Sequence, residues 1–131
     1  MLRVGDARAI ELAFAAFAER RIAAVVVGAD GLFNNQRSQI VALAARHTIK
    51  AIYAFREFVT EGGLVSYGAN LTEAYRLAGL YIGRILRGEN PAELPVIQPT
   101  KIELSINLKT AKMLGLDVPA TLIARADEVI D

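Results

Sequence analysis

Three short segments hold the residues that could recognise a small molecule: Gly28 to Asn35, Ala54 to Phe58 and Ser66 to Asn70. Between them they offer carboxylates (Asp30, Glu57), a base (Arg56), amides (Asn34, Asn35, Asn70), a hydroxyl (Ser66) and rings (Phe33, Phe55, Tyr67). A carboxylate can hold an ammonium, rings can enclose a flat ligand, and amides at a helix start can receive an anion. The candidate ligand-binding residues are therefore Asp30, Phe33, Asn34, Phe55, Ser66, Tyr67 and Asn70. Several have a second reading. Asp30 suits a turn before Gly31, Phe33 could plug the end of a sheet, and Asn70 suits a helix cap. Tyr67 faces either a cleft or a neighbouring loop. Arg56 beside Glu57 reads as a solvated ion pair.

Catalysis has little to work with. His47 is the single histidine, at the end of a helical pattern where a basic group suits the helix dipole. With no cysteine, disulfides, thiol chemistry and thiolate-bound metals are excluded, and one histidine does not make a zinc site. A triad of Ser66, His47 and Asp30 fails because the helix ending at His47 runs back to the opposite edge of the sheet. Gly28-Ala29-Asp30-Gly31 lacks the glycine spacing and following lysine of a phosphate loop. The expectation is binding without a catalytic residue, a metal or a cofactor.

The elements that position these residues follow from periodicity and punctuation. Asp6 is a plausible N-cap, and Ile10, Phe14 and Phe17 recur at helical spacing over Ala7 to Arg20. Ala23 to Val27 is a β-branched run that reads as a fully buried strand, followed by a loop over Gly28 to Asn35. A helix over Gln36 to His47 buries Ile40, Leu43 and Ala44. Lys50 to Tyr53 and Leu64 to Ser66 read as strands, joined through about one helical turn. Asn70 and Glu73 have the spacing of a capping box. Leu71, Ala74, Tyr75, Ala78, Ile82, Ile85 and Leu86 then form one stripe, stopped by Gly88. Gly79 and Gly83 suit close packing of this helix on the sheet. Ile102, Leu104 and Ile106 alternate with Glu103, Ser105 and Asn107, the period of a half-exposed strand. Asn107 caps a short helix closing at Gly115, and Pro119 opens a last segment to about Ala126. Leu2 to Val4 reads as the remnant of a first strand. Alternating strands and helices predict an α/β fold: a doubly wound, mainly parallel sheet flanked by helices, in one domain.

The bulk numbers agree with that class. A chain of 131 residues, 53% of them apolar, can bury a single core of parallel strands. Fifteen basic and 14 acidic residues leave a net charge of +1, without the excess a nucleic-acid binder needs. Asp6, Arg8 and Glu11 interrupt any leader-like apolar run near Met1, and no uncharged run is long enough to span a membrane.

Gly62-Gly63-Leu64-Val65-Ser66-Tyr67-Gly68-Ala69-Asn70 is followed by Arg84-Ile85-Leu86-Arg87-Gly88-Glu89-Asn90-Pro91, by Leu94-Pro95-Val96-Ile97-Gln98-Pro99-Thr100-Lys101, and by Asn107 to Leu116. This series resembles the C-terminal lobe of type I periplasmic substrate-binding proteins of ABC importers, in the branch with aromatic amino-acid binders. The resemblance spans nearly the whole chain and implies a two-lobe protein whose first lobe is absent here. It implies a small solute, an aromatic amino acid by preference, clamped between lobes and delivered to an ABC permease. It places Ala29-Asp30, Phe33-Asn34, Tyr53 to Phe58 and Ser66-Tyr67-Gly68 at the site, with a hinge crossover in the Pro95 to Lys101 segment. It also implies a periplasmic location for the full-length protein, whose export signal would precede the first lobe. Surface left bare by a missing lobe invites pairing with a second copy through the cleft or hinge face. The alternative is a stand-alone flavodoxin-like interaction or regulatory module, although Asp30 lacks the companion acids and lysine of a receiver domain.

Overall fold

The computed structural model describes residues 5–98 and 101–131. The segment read as a first-strand remnant and the break at Pro99 lie outside the described residues. Helix α1 (Ala7–Glu19) starts where Asp6 Oδ1 accepts from the Ala9 N–H at 2.7 Å, and it buries Ile10 and Phe14. Strand β1 (Ala24–Val27) leads into α2 (Gly31–Asn35) and α3 (Arg37–Arg46). Strand β2 (Lys50–Tyr53), helix α4 (Arg56–Thr60) and strand β3 (Val65–Ala69) follow, then the long helix α5 (Leu71–Leu86). After a 3₁₀ turn at Pro91–Glu93 come β4 (Ile102–Asn107), α6 (Leu108–Met113), α7 (Ala120–Ile123) and β5 (Glu128–Ile130). The five strands form one sheet in the order β1-β2-β3-β4-β5. Every neighbouring pair is parallel except β3 and β4, which run antiparallel.

The core lies between the sheet and α1, α3 and α4. Phe14, Val27, Ile40, Leu43, Tyr53 and Phe58 are its main members. Tyr53 and Phe58 stack with ring centroids 4.7 Å apart. Burial pushes the Tyr53 phenol up to about 12. The unfolded phenol ionises near 10, so between these values the unfolded chain releases a proton that the folded chain keeps. Stability from this group is whole below pH 10 and is lost as pH rises towards 12, by about 2–3 kcal/mol. Denaturant melts of wild type and Tyr53→Phe at pH 9 and 11 should show a smaller alkaline loss in the variant. Parallel losses in the two proteins would remove Tyr53 as the cause.

The structure departs from the sequence reading at five places. The Gly28 to Asn35 segment is not all loop: Asp30 Oδ1 accepts from the Leu32 N–H at 2.7 Å and caps α2. Strand β1 is not fully buried: among the described residues it is the outermost strand of the sheet, and Val26 is 79% exposed. The polar face of β4 is not exposed either. Helix α4 covers it, Asn107 Nδ2 donates to the Val59 carbonyl at 3.3 Å, and Ser105 and Asn107 are buried. Strand β5 was not foreseen, since three residues carry too little period to register. Helix α5 has the expected caps and stripe but buries no residue, and nothing approaches Gly79. Its glycines therefore do not serve packing on the sheet.

Candidate functional site

The three parallel strands β1, β2 and β3 end at one edge of the sheet, where open α/β folds place their ligands. Because β4 runs the other way and starts opposite Ala69, it brings its own first residues to the same edge. Strand β5, parallel to β4, places Glu128 beside Ser105. Residues from five separate stretches of chain are thereby gathered there.

At the end of β1, Asp30 and Phe33 line an open apolar groove of about 820 Å³ between α1 and β1, together with Phe14, Phe17 and Val26. Phe33 also packs against the core. Asn34 Oδ1 is closed to solvent with no hydrogen-bond partner among the described residues. A buried acceptor without a donor is costly, so it is a natural place for a ligand donor.

At the ends of β2 and β3, Phe55 is half-buried against the core just before α4 begins. Gly68 lies hard against the preceding residue of that loop: a Cβ there would fall on the Ala54 carbonyl oxygen, far inside van der Waals contact. Only glycine lets these two strand ends meet so closely. Tyr67 is 62% exposed, whereas Ser66 is 1% exposed. Alternation along the strand explains the contrast. Ser66 pairs with Ser105 on the face that α4 covers, and Tyr67 lies on the other face beside Leu104.

Asn70 does two jobs. Its Oδ1 caps α5 by accepting from the Glu73 N–H at 2.9 Å. Its Nδ2 donates to both oxygens of Glu103, at 3.1 and 3.0 Å. Lys101 Nζ reaches Glu103 at 3.3 Å, and that hydrogen bond holds the ammonium above its ordinary range. Arg56 does not pair with Glu57. It makes a two-pronged contact with Glu128, 2.6 Å on each prong, across 72 residues of sequence. This bond pulls the Glu128 carboxyl down and the Arg56 guanidinium up, so the pair stays charged. Glu57 Oε2 is closed to solvent and has no hydrogen-bond partner among the described residues.

Lys101, Glu103 and Glu128 are absent from the sequence-based candidates. Only the antiparallel turn of β4 brings the first two to this edge, and no local pattern announces it. Helix α4 sits over Ser66, while Tyr67, Asn70 and Phe55 share the β2–β3 side and Asp30 and Phe33 share the β1 side. A smaller cavity of about 130 Å³, lined by Val41, Ile49, Gly63 and Met113 among others, lies at the amino ends of β2 and β3, away from this edge. Among the described residues no three His, Cys, Asp or Glu side chains are grouped to hold a metal. The arrangement suits recognition: fixed charges, an exposed ring and two unpartnered buried acceptors.

Fold and edge together define a mostly parallel α/β sheet flanked by helices, with charged, polar and aromatic groups gathered at its strand ends. The chain belongs to the ABC transporter substrate binding protein family, whose sequence profile matches residues 2–130. Among solved structures, an ABC domain in complex with L-Trp from Streptococcus pneumonia is similar over 98% of this chain and 43% of its own, with 22% identity and a TM-score of 0.88. A conserved domain protein from Vibrio cholerae is similar over 95% of this chain and 42% of its own, with 22% identity and a TM-score of 0.84. A ligand-free, open substrate binding protein with adhesive properties from Clostridium difficile is similar over 97% of this chain and 42% of its own, with 20% identity and a TM-score of 0.63. This chain thus spans less than half the length of each. No curated protein matches it.

Proposed function

We propose that this chain is the C-terminal lobe of a two-lobe substrate-binding component of an ABC importer. It holds one wall of a cleft for a small solute, an amino acid by preference, and passes that solute to a membrane permease without chemical change. The family match supports the class of protein. The observation that carries the site is the gathering at one sheet edge of an exposed ring, Tyr67 on one face of β3, and of the fixed charges Glu103, Lys101, Arg56 and Glu128 towards the face that α4 covers. That edge offers a ring for a flat side chain, carboxylates for an ammonium and cations for a carboxylate. The ligand set is Asp30, Phe33, Asn34, Phe55, Ser66, Tyr67 and Asn70, with Ser66 reached only if α4 shifts. The L-Trp in one similar structure favours an aromatic amino acid. Among the described residues no helix is long and apolar enough to cross a membrane. The family is typically periplasmic or extracellular, which suits a receptor that meets its solute before a permease does.

The test is calorimetric titration of the protein, joined to a first lobe, with a panel of amino acids. Binding of an aromatic member is expected. Asp30→Ala should weaken it by about 1–3 kcal/mol through a lost charge-assisted bond. Tyr67→Ala should weaken an aromatic ligand more than an aliphatic one. Equal losses for both ligands would count against stacking, and no binding by the joined protein to any amino acid would remove that solute class.

A further inference from the structure

The smaller cavity, of about 130 Å³, takes no part in the edge described above. It opens at the opposite ends of the strands, and elements of this chain form its walls. Val41, Ala44, Ile49 and Tyr53 make a buried floor. Thr48 and Met113 stand exposed at the mouth, Met113 by 68%. None of the side chains that line it is charged. The Tyr53 ring is braced on two sides. It stacks on Phe58, and a Cβ on Gly63 would lie 2.6 Å from its Cε2 atom. A wall held in this way has little freedom to collapse into the space. The flexible thioether of Met113 can adjust the mouth to an occupant.

The polar groups around the cavity are already engaged. The Ile49 N–H donates to the Ala44 carbonyl at 2.9 Å, the Gly62 N–H to the Val59 carbonyl at 3.1 Å, and the Gly63 N–H to the Phe58 carbonyl at 2.8 Å. Thr110 Oγ1 donates to the Gly62 carbonyl at 2.8 Å. The buried side-chain atoms without a partner belong to Asn34, Gln39, Glu57 and Ser105, and none of these lines the cavity. Burial alone raises the Tyr53 phenol, with no charged group acting on it. A buried water needs about two to four polar partners, so a floor whose backbone donors are engaged suits an apolar occupant instead. An apolar cavity of about 150 Å³ stays dry and takes up benzene or xenon, and this one is close to that size. A zwitterionic amino acid would bring two charges that no lining residue could meet.

We infer that this cavity is a second binding site, separate from the solute edge, for one small uncharged apolar ring the size of benzene. The site does not rest on the solute reading. Benzene titrated into the 131-residue chain and followed by methyl NMR should give saturable shifts at Val41, Ala44 and Ile49, with a Kd of about 0.1–1 mM. Nuclear Overhauser contacts should run from the ring protons to the same methyls. Benzoate and L-phenylalanine carry the ring with charge and should leave those methyls unmoved. Ala44→Leu fills the floor and should weaken benzene at least about tenfold. Should that variant fail to fold, xenon-pressurised crystals of the wild type locate the site, with an atom expected among Val41, Ile49 and Tyr53. No saturable shift up to the solubility of benzene would overturn the site. So would contacts to Phe14 and Phe17 of the larger groove in place of these methyls, equal shifts with benzoate, unchanged affinity in a folded Ala44→Leu, or no xenon in the cavity.

Discussion

Replacing Phe58 with alanine is expected to lower the free energy of unfolding by about 3–5 kcal/mol. The ring is 1% exposed and stacks on Tyr53, so truncation loses both the transfer energy and the contacts around the void. The surroundings have little freedom to collapse into it. The Phe58 carbonyl accepts from the Gly63 N–H at 2.8 Å, and Val59 beside it is fully buried. Since small domains are stable by only about 5–15 kcal/mol, the variant should be close to unfolded at 37 °C. Denaturant midpoints of wild type and variant give the measurement. A loss below about 1 kcal/mol would mean that α4 repacks freely, against the tight packing described here.

Gly68→Ala should damage both stability and recognition. The added methyl meets backbone, the Ala54 carbonyl, and so has no flexible side chain to push aside. Relief requires β3 and the Ala54 loop to separate, which should cost about 1–3 kcal/mol or more. The same movement displaces Phe55 and Arg56, and with them the geometry of the strand ends. In a protein joined to its first lobe, solute affinity should fall about tenfold or more. Gly28→Ala is the control, since nothing lies within 4 Å of a Cβ at that position. Equal behaviour of the two variants in melting and titration would sink the claim that the approach of Gly68 to Ala54 sets the edge.

Much of the fold was legible because it is written locally. Asp6, Asn70 and Asn107 announce helix starts by residue type, and the structure shows each of them accepting a backbone N–H. The apolar periods of α1, α3 and α5 gave their positions to within a residue or two. What failed was long-range. Val26 belongs to a run that looks like buried strand, but burial depends on neighbours the run cannot specify, and among the described residues nothing covers Val26, which is 79% exposed. The alternation of β4 suggested a wet face, yet the five-residue α4 lies across it. Arg56 sits beside Glu57 in sequence, but its partner is Glu128, three strands further on. Asn70 read as a helix cap or a ligand contact, whereas its amide holds Glu103. For Arg56 and Asn70 the deciding partner is brought in by β4 and the β5 strand beside it, which no short window contains.

That antiparallel entry has one more consequence. Ala69 and Ile102 face each other directly across the β3–β4 ladder, so the chain leaves and re-enters the sheet at a single point. Residues 70–101 are thus spliced in like a cassette between two strands that a two-residue turn could join. Swapping the cassette for Asn-Gly would leave a plain hairpin in the middle of the sheet and shorten the loop that must close before β3 meets β4. The sheet could then serve as a compact scaffold, open to other inserts at the same junction.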